Sequence, residues 1–163
     1  MNYIFEEIKE EHLSEVLGIY NYYVLNTTVT FNIKPLTLEE MKALVFFDDD
    51  RFKAFAITDN EEIRGYAILT RHKTREAYDN TAEVAIYLRN DCRGKGIGSA
   101  AVGFIEDLAV KNGFHVLVAS ICGENESSIK MFEKNGYIKC AHYREVGRKF
   151  GRWLDVVAYQ KLL

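Results

Sequence analysis

A glycine-rich segment in the middle of the chain has the residue types that bind phosphate. Its sequence is Arg93-Gly94-Lys95-Gly96-Ile97-Gly98, with glycine at every second position. Because glycine lacks a Cβ atom, backbone N–H groups here can turn toward one point. A helix beginning there adds its own free N–H groups and the positive end of its dipole. The segment therefore predicts an anion cradle suited to a pyrophosphate.

The spacing of these glycines excludes two common phosphate loops. A Walker loop needs four residues between its first glycine and the Gly-Lys-Ser/Thr triplet, and the dinucleotide fingerprint needs two residues between its second and third glycines. The segment 93–98 has neither spacing. Taken alone, it also fits an ordinary glycine-rich start of a helix, so its meaning depends on the elements around it.

A carboxylate precedes the glycines in the chain. Glu83 lies in the apolar run 81–88, which is typical of a strand leading into the glycine segment. A carboxylate on a sheet of apolar neighbours can accept a proton from an ammonium group, directly or through water. The alternative is a structural glutamate paired with an arginine or with backbone donors.

The apolar periodicity predicts the elements that would position these groups. Thr37 and Glu40 match a capping box, while Gly113 and Gly136 fit the left-handed residue that closes a helix. Early hairpins followed by alternating strands and helices imply a mixed sheet with helices on both faces. We expect strands at 3–8, 54–58, 63–70, 81–88, 115–121, 137–145 and 154–160. We expect helices at 13–24, 37–47 and 125–135, and another that follows the glycine segment, buries 101–109 and ends at Gly113.

Size and composition favour one domain over residues 1–163, since 163 residues with 48% hydrophobic content can form a full core. A net charge of −3 gives no broad basic field, so no nucleic-acid partner is expected. No apolar run has the length of a signal peptide core or of a membrane span, which predicts a cytoplasmic protein without membrane association. The cysteines lack C-x-x-C spacing and the histidines are scattered, so we expect reduced thiols and no metal site. These residues are Cys92, Cys122, Cys140, His12, His72, His115 and His142.

The pattern Arg93-x-x-Gly96-x-Gly98 resembles the acyl-CoA pyrophosphate loop of the GNAT N-acetyltransferases. Other stretches are similar to the branch that contains phosphinothricin and methionine sulfoximine N-acetyltransferases. They are 19–23, 28–31, 75–78, 123–129 and 145–156, and they follow the expected order along nearly the whole chain. The resemblance implies the α/β (α+β) GNAT fold, with a mixed, mostly antiparallel central sheet and helices on both faces. It also implies a homodimer.

The resemblance further implies direct transfer of an acetyl group from acetyl-CoA to the α-amino group of a small amino acid or analogue. Glu83 stands where this branch has its general base. The backbone around Ile86, Tyr87 and Leu88 would meet the pantetheine arm and the thioester carbonyl. Asn125 would touch the pantetheine end of the cofactor, although Asn at that position equally fits a helix N-cap. The pyrophosphate would be held by Arg93, Gly94, Lys95, Gly96, Ile97, Gly98 and Ser99.

The same resemblance outlines a substrate pocket. Arg75 precedes the Glu83 strand, and an arginine can grip a carboxylate with its planar fork, which suits an amino-acid substrate. Arg75 also fits a solvated surface cluster, Tyr78 fits a packing role, and Trp153 fits the core or a dimer interface. The predicted substrate-binding residues are Phe31, Arg75, Tyr78, Lys149 and Trp153.

One residue departs from the family pattern. Phe132 stands where many GNAT enzymes have a tyrosine and phosphinothricin acetyltransferases a histidine, and phenylalanine cannot protonate the departing thiolate. The alternatives are therefore an unaided leaving group, another donor, or a non-catalytic acyl-CoA-binding module. A transferase for another amine, such as a polyamine, an aminoglycoside or a protein N-terminus, also stays open. An acyl-enzyme on Cys92 is disfavoured because the sequence shows no base partner for it.

Overall fold

The protein is described by a computed structural model that covers residues 3–163. Its elements follow the order predicted from the sequence. The strands are β1 (Ile4–Glu7), β2 (Lys53–Asp59), β3 (Glu62–Arg71), β4 (Thr81–Leu88), β5 (Val116–Cys122), β6 (Ile138–Lys149) and β7 (Arg152–Leu162). The helices are α1 (Leu13–Asn26), α2 (Leu38–Val45), α3 (Ile97–Lys111) and α4 (Glu126–Lys134), with short 3₁₀ turns at Glu10–His12, Glu76–Tyr78 and Asn90–Cys92.

The strands form one sheet in the order β1-β2-β3-β4-β5-β7-β6. Only the β4/β5 pair is parallel, and the other pairs are antiparallel. Helices α1 and α2 cover one face of the sheet, and α3 and α4 cover the other. One apolar core lies beneath each pair of helices. The predicted mixed, mostly antiparallel sheet with helices on both faces is confirmed.

Strands β4 and β5 separate partway along their length. Their register ends where Glu83 faces Val118, whereas β4 stays paired with β3 as far as Leu88. Residues 84–88 therefore have backbone N–H and C=O groups on one edge that no neighbouring strand satisfies. A gap between two strands exposes hydrogen-bonding groups that an extended ligand can use.

Side chains of β4 alternate between the two faces of the sheet. Ala82 and Val84 lie in the core beneath α3, whereas Ala85 and Tyr87 pack against the core beneath α1 and α2. The same alternation directs Glu83 to the α1/α2 face. Strand β4 thus presents the Glu83 carboxylate on the α1/α2 face and leads, at its C-terminal end, into the glycine segment.

The predicted boundaries differ from the structure most clearly in three elements, α2, β6 and β7. Helix α2 ends at Val45 instead of residue 47, since Phe46 already has extended backbone. The last two strands are longer than expected, because residues 146–149 and 152–153 continue the β6/β7 hairpin beyond an irregularity between Tyr143 and Gly147.

No helix within residues 3–163 is long and apolar enough to cross a bilayer. The same residues contain no group of three or more histidine, cysteine or acidic side chains placed to hold a metal ion. The three cysteines are free thiols.

Candidate active site

The glycine segment turns into α3 through two left-handed residues. Gly94 has φ of 76° and Gly96 has φ of 81°, which only glycine adopts at little cost. Helix α3 begins at Ile97, so the amides of its first turn have no carbonyl one turn earlier to bond. Gly98 faces α4, where an added Cβ would lie 2.3 Å from the Met131 sulfur. The predicted anion cradle therefore has the backbone conformation that it needs.

A cleft joins this cradle to the gap beside β4 and to the start of α4. Both polar and apolar residues line it. Its lining residues are Tyr23, Val29, Ile86, Leu88, Arg93, Gly94, Gly96, Gly98, Ser99, Asn125, Ser127, Ser128 and Met131. Most of the residues predicted to bind the cofactor thus meet in one cavity. An acyl-CoA arm fits this combination of amide donors, free strand backbone and an apolar wall.

Three predicted cofactor residues have side chains outside this cleft. Lys95 is exposed beside Asp59 and Arg64. Ile97 is buried in the core under α3. The Tyr87 ring stacks on Tyr66 at 5.2 Å. Because the side chains of Ile97 and Tyr87 are packed elsewhere, these two residues can contact a cofactor only through their backbone atoms.

Asn125 fits both of the roles considered for it. Its side-chain oxygen accepts a hydrogen bond from the Ser128 amide at 3.3 Å, which makes it the N-cap of α4, and it also lines the cleft. Phe132, in the same helix, is only 4% exposed and packs on Tyr137 at 4.9 Å between ring centres. The Phe132 side chain therefore faces the core, and the phenylalanine in place of a tyrosine does not change the lining of the cleft.

Sequence reasoning assigned Ser99 to the cofactor but missed three other hydroxyl groups that line the cleft, those of Tyr23, Ser127 and Ser128. Tyr23 donates to the Leu88 carbonyl, and burial raises the pKa of this phenol, which keeps it a hydrogen-bond donor. Ser99, Ser127 and Ser128 stand in the first turns of α3 and α4. The sequence could have indicated the serines, since each one follows shortly after the predicted start of a helix.

Among residues 3–163, the one hydrogen-bonding partner of Glu83 is a histidine, not the arginine or the backbone donor considered from the sequence. Oε1 of Glu83 lies 2.7 Å from Nδ1 of His72, the residue that follows β3. The Glu83 side chain is 30% exposed, so it is less buried than its apolar neighbours implied. Residues 3–163 give its second oxygen no hydrogen-bond partner, which leaves that oxygen available to a ligand.

The segment after α1 forms a wall on the same face of the sheet. The Thr30 hydroxyl forms a hydrogen bond of 2.7 Å with the Tyr20 hydroxyl. The backbone carbonyl of Thr30 accepts a hydrogen bond from the Lys149 ammonium at 2.8 Å. Lys149 is only 4% exposed, and burial lowers its pKa. Phe31 lies on Gly147, where an added Cβ would come within 2.3 Å of its ring.

An ion pair ties this wall to the β6/β7 hairpin and to the start of α4. Arg152 holds Glu124 with two bonds of 2.9 Å, and the Thr28 hydroxyl donates to the same carboxylate at 2.6 Å. These two donors lower the pKa of Glu124 to about 2. We call these three residues the clamp.

The remaining predicted substrate residues differ in their surroundings. Tyr78 packs edge-on against His72 at 5.7 Å, as the packing alternative proposed. Arg75 is exposed, and no ion pair holds it among the described residues. Trp153 is 62% exposed under the Arg148 guanidinium, which excludes a core role, and it lies on the opposite face of the hairpin from Lys149.

Several known N-acetyltransferases are similar to this protein over most of its length. The phosphinothricin N-acetyltransferase of Streptomyces coelicolor is 34% identical over 94% of this chain and 92% of that protein. The L-methionine sulfoximine/L-methionine sulfone acetyltransferase of Pseudomonas aeruginosa is 34% identical over 91% of this chain and 87% of its own length. The phosphinothricin acetyltransferase of Sinorhizobium meliloti, solved with acetyl-CoA, superposes with a TM-score of 0.94 at 28% identity, covering 100% of this chain and 89% of that one.

A family model described as an acetyltransferase (GNAT) domain matches residues 6–158. That range includes the cradle, the gap beside β4, the clamp and Glu83. The non-catalytic alternative finds no support among relatives that are themselves named N-acetyltransferases. The chain belongs to the GNAT acetyltransferase family and is an N-acetyltransferase.

Proposed function

We propose that this enzyme transfers an acetyl group from acetyl-CoA to the α-amino group of a small amino acid or analogue, such as phosphinothricin or methionine sulfoximine. The observation that carries the proposal is the position of Glu83 beside the gap, on the α1/α2 face, with one carboxylate oxygen that no described residue binds. The names of the two curated relatives support the substrate class.

Acetyl-CoA supplies an activated thioester when it is bound. We propose that the amides of the cradle and the Arg93 guanidinium hold its pyrophosphate, while the unpaired backbone of β4 pairs with its pantetheine arm. The predicted residues for this role are Ile86, Tyr87, Leu88, Arg93, Gly94, Lys95, Gly96, Ile97, Gly98, Ser99 and Asn125. No metal is needed for these contacts.

The amine must lose a proton before it can attack. In our proposal the free oxygen of Glu83 accepts that proton, directly or through a water molecule. Replacement by glutamine preserves the shape but removes the basicity, so Glu83→Gln should lower kcat about a hundredfold or more with little change in acetyl-CoA binding. A variant with unchanged turnover across the pH range would move the base to another residue.

In our proposal, a carboxylate on the substrate binds to cationic side chains. Arg75 and Lys149 supply them, with Phe31, Tyr78 and Trp153 as the remaining predicted contacts. A polyamine or an aminoglycoside would instead need acidic groups, which makes such amines the weaker candidates. Protein N-termini stay a second candidate because they also present an α-amino group.

The decisive assay measures thiol release from acetyl-CoA against amino acids, their amides, polyamines and peptides. Arg75→Ala should weaken kcat/KM for an amino acid by about tenfold or more, and should barely change it for the matching amide. Equal losses for the acid and the amide would show that Arg75 does not read the carboxylate. A preference of the unmodified enzyme for peptides or polyamines would replace the proposed substrate class.

We also propose a cytoplasmic homodimer without nucleic-acid or membrane partners. The free thiols suit a reducing compartment. The β6/β7 hairpin ends the sheet and exposes large apolar side chains, which supports a second copy of this chain as its occupant. These side chains are Ile138, Tyr143, Val146, Phe150 and Trp153.

A further inference from the structure

The hydrogen bond between His72 and Glu83 joins a loop to the middle of the sheet. His72 is the first residue after β3, and Glu83 lies within β4 opposite Thr70. Nδ1 and Oε1 are 2.7 Å apart. An ionised carboxylate only accepts hydrogen bonds, so Nδ1 carries the hydrogen and donates it.

We propose that His72 is the positioning residue of the base, holding one oxygen of Glu83 so that the other faces the substrate amine. The proposal rests on the base role given to Glu83 above. A carboxylate that is free to rotate presents its oxygens in many directions, whereas a charge-assisted bond to one oxygen fixes the plane of both. His72 itself does not touch the substrate in this proposal.

The surroundings of His72 hold its imidazole in place. The Tyr78 ring meets it edge-on at 5.7 Å, and the Lys73 ammonium lies 5.6 Å from the centre of the Tyr78 ring. The ends of the loop are fixed as well, since Arg71 binds Asp79 at 2.9 Å. A ring fixed in this way can orient a carboxylate instead of following it.

The test compares His72→Leu with His72→Asn, because the asparagine amide can donate from nearly the same place as Nδ1. His72→Leu should lower kcat about tenfold, a part of the hundredfold or more that a general base contributes, with an unchanged KM for acetyl-CoA. His72→Asn should recover most of that loss. The matched control is His142→Leu, which removes another His–carboxylate bond, at 2.8 Å to Asp155, on the opposite face of the sheet.

A double variant separates positioning from support of the fold. With Glu83 already replaced by Gln, the further change His72→Leu should cost no additional activity, because the group to be positioned is gone. Equal losses in both backgrounds, or an asparagine variant as slow as the leucine variant, would overturn the proposal. Melting temperatures of all variants identify losses caused by unfolding. Unchanged turnover of Glu83→Gln alone would instead refute the base assignment, which is a separate failure.

Discussion

At the scale of single residues, Lys149 has unusual surroundings for a lysine. Its ammonium is buried, donates to the Thr30 carbonyl at 2.8 Å and lies 5.2 Å from the Phe150 ring centre. The described part of the chain offers it no carboxylate partner. A buried cation without a counter-charge costs stability, so it marks a place where a ligand can supply the negative charge.

Lys149→Met should therefore separate function from stability. We expect kcat/KM for an amino acid to fall about tenfold or more, because a charge-assisted bond is lost. The free energy of unfolding should change by less than about 1 kcal/mol, because removing a buried charge offsets the lost hydrogen bond. Kinetics and urea unfolding measure the two effects, with the exposed Arg148→Met as control. Equal kinetic losses for the amino acid and its amide would contradict the idea.

The residues of the site were predictable to different degrees. The positions of Glu83 on a strand and of the glycines before a helix could be predicted, because each depends on a short stretch of sequence. His72 could not, since its contact with Glu83 depends on the register between β3 and β4. Lys149 was assigned by resemblance alone, and neither its burial nor its bond to Thr30, from a distant part of the chain, could be read from the sequence.

At the scale of elements, the cradle depends on the left-handed backbone of Gly96. Gly96→Val should weaken acetyl-CoA binding at least about tenfold, which corresponds to about 1.4 kcal/mol. An added Cβ meets no protein atom within 4 Å, so the effect should come from the backbone and from the approach of the ligand. Calorimetry on folded protein measures it. Gly103→Val, in the middle of α3 and equally unobstructed, is the control and should bind normally.

The clamp makes part of the stability depend on pH. The pKa of Glu124 is about 2 in the folded protein against an ordinary value of 4.5. Its contribution is therefore fully present above about pH 4.5 and is lost as the pH falls toward 2. Because both side chains are substantially exposed, we expect about 1 kcal/mol at most.

Unfolding of Glu124→Gln at several pH values checks this expectation. The difference from the unmodified protein should shrink as the pH falls from about 4.5 toward 2, since the unfolded chain takes up a proton on Glu124 in this range whereas the folded chain keeps the carboxylate ionised. Glu126→Gln, which loses only an exposed pair with Lys130, is the control. A difference that stays constant across this range would show that the clamp contributes nothing through charge.

Strand β4 was predicted with both of its ends, because a run of apolar residues between turn signals has clear limits. The β6/β7 hairpin was predicted too short. Its continuation past Tyr143 includes Glu145 in a left-handed conformation, whose amide is held by Asp155 at 2.8 Å. A bulge of this kind breaks the alternation of a strand without ending it, so periodicity alone places the boundary too early.

At the scale of the whole molecule, the exposed hairpin predicts a dimer in solution. Light scattering should give twice the mass of one chain. Val146→Lys should shift the protein toward monomer, since Val146 is 57% exposed and a charge in an apolar interface is costly. Val110→Lys, an equally exposed valine on α3, is the control. If the unmodified protein is already a monomer, the proposed dimer is refuted.

The alternation of β4 also constrains the order of events in a catalytic cycle. The cradle lies at the start of α3, whereas Glu83 faces the α1/α2 side, so in the proposed reaction the donor and the acceptor occupy different parts of the same strand. Cys92, which lies close to the cradle, is buried in the core and does not line the cleft that would hold an acyl group. Both substrates must then be present together. Initial-velocity plots should intersect, and labelled CoA should not exchange into acetyl-CoA until an amine is added.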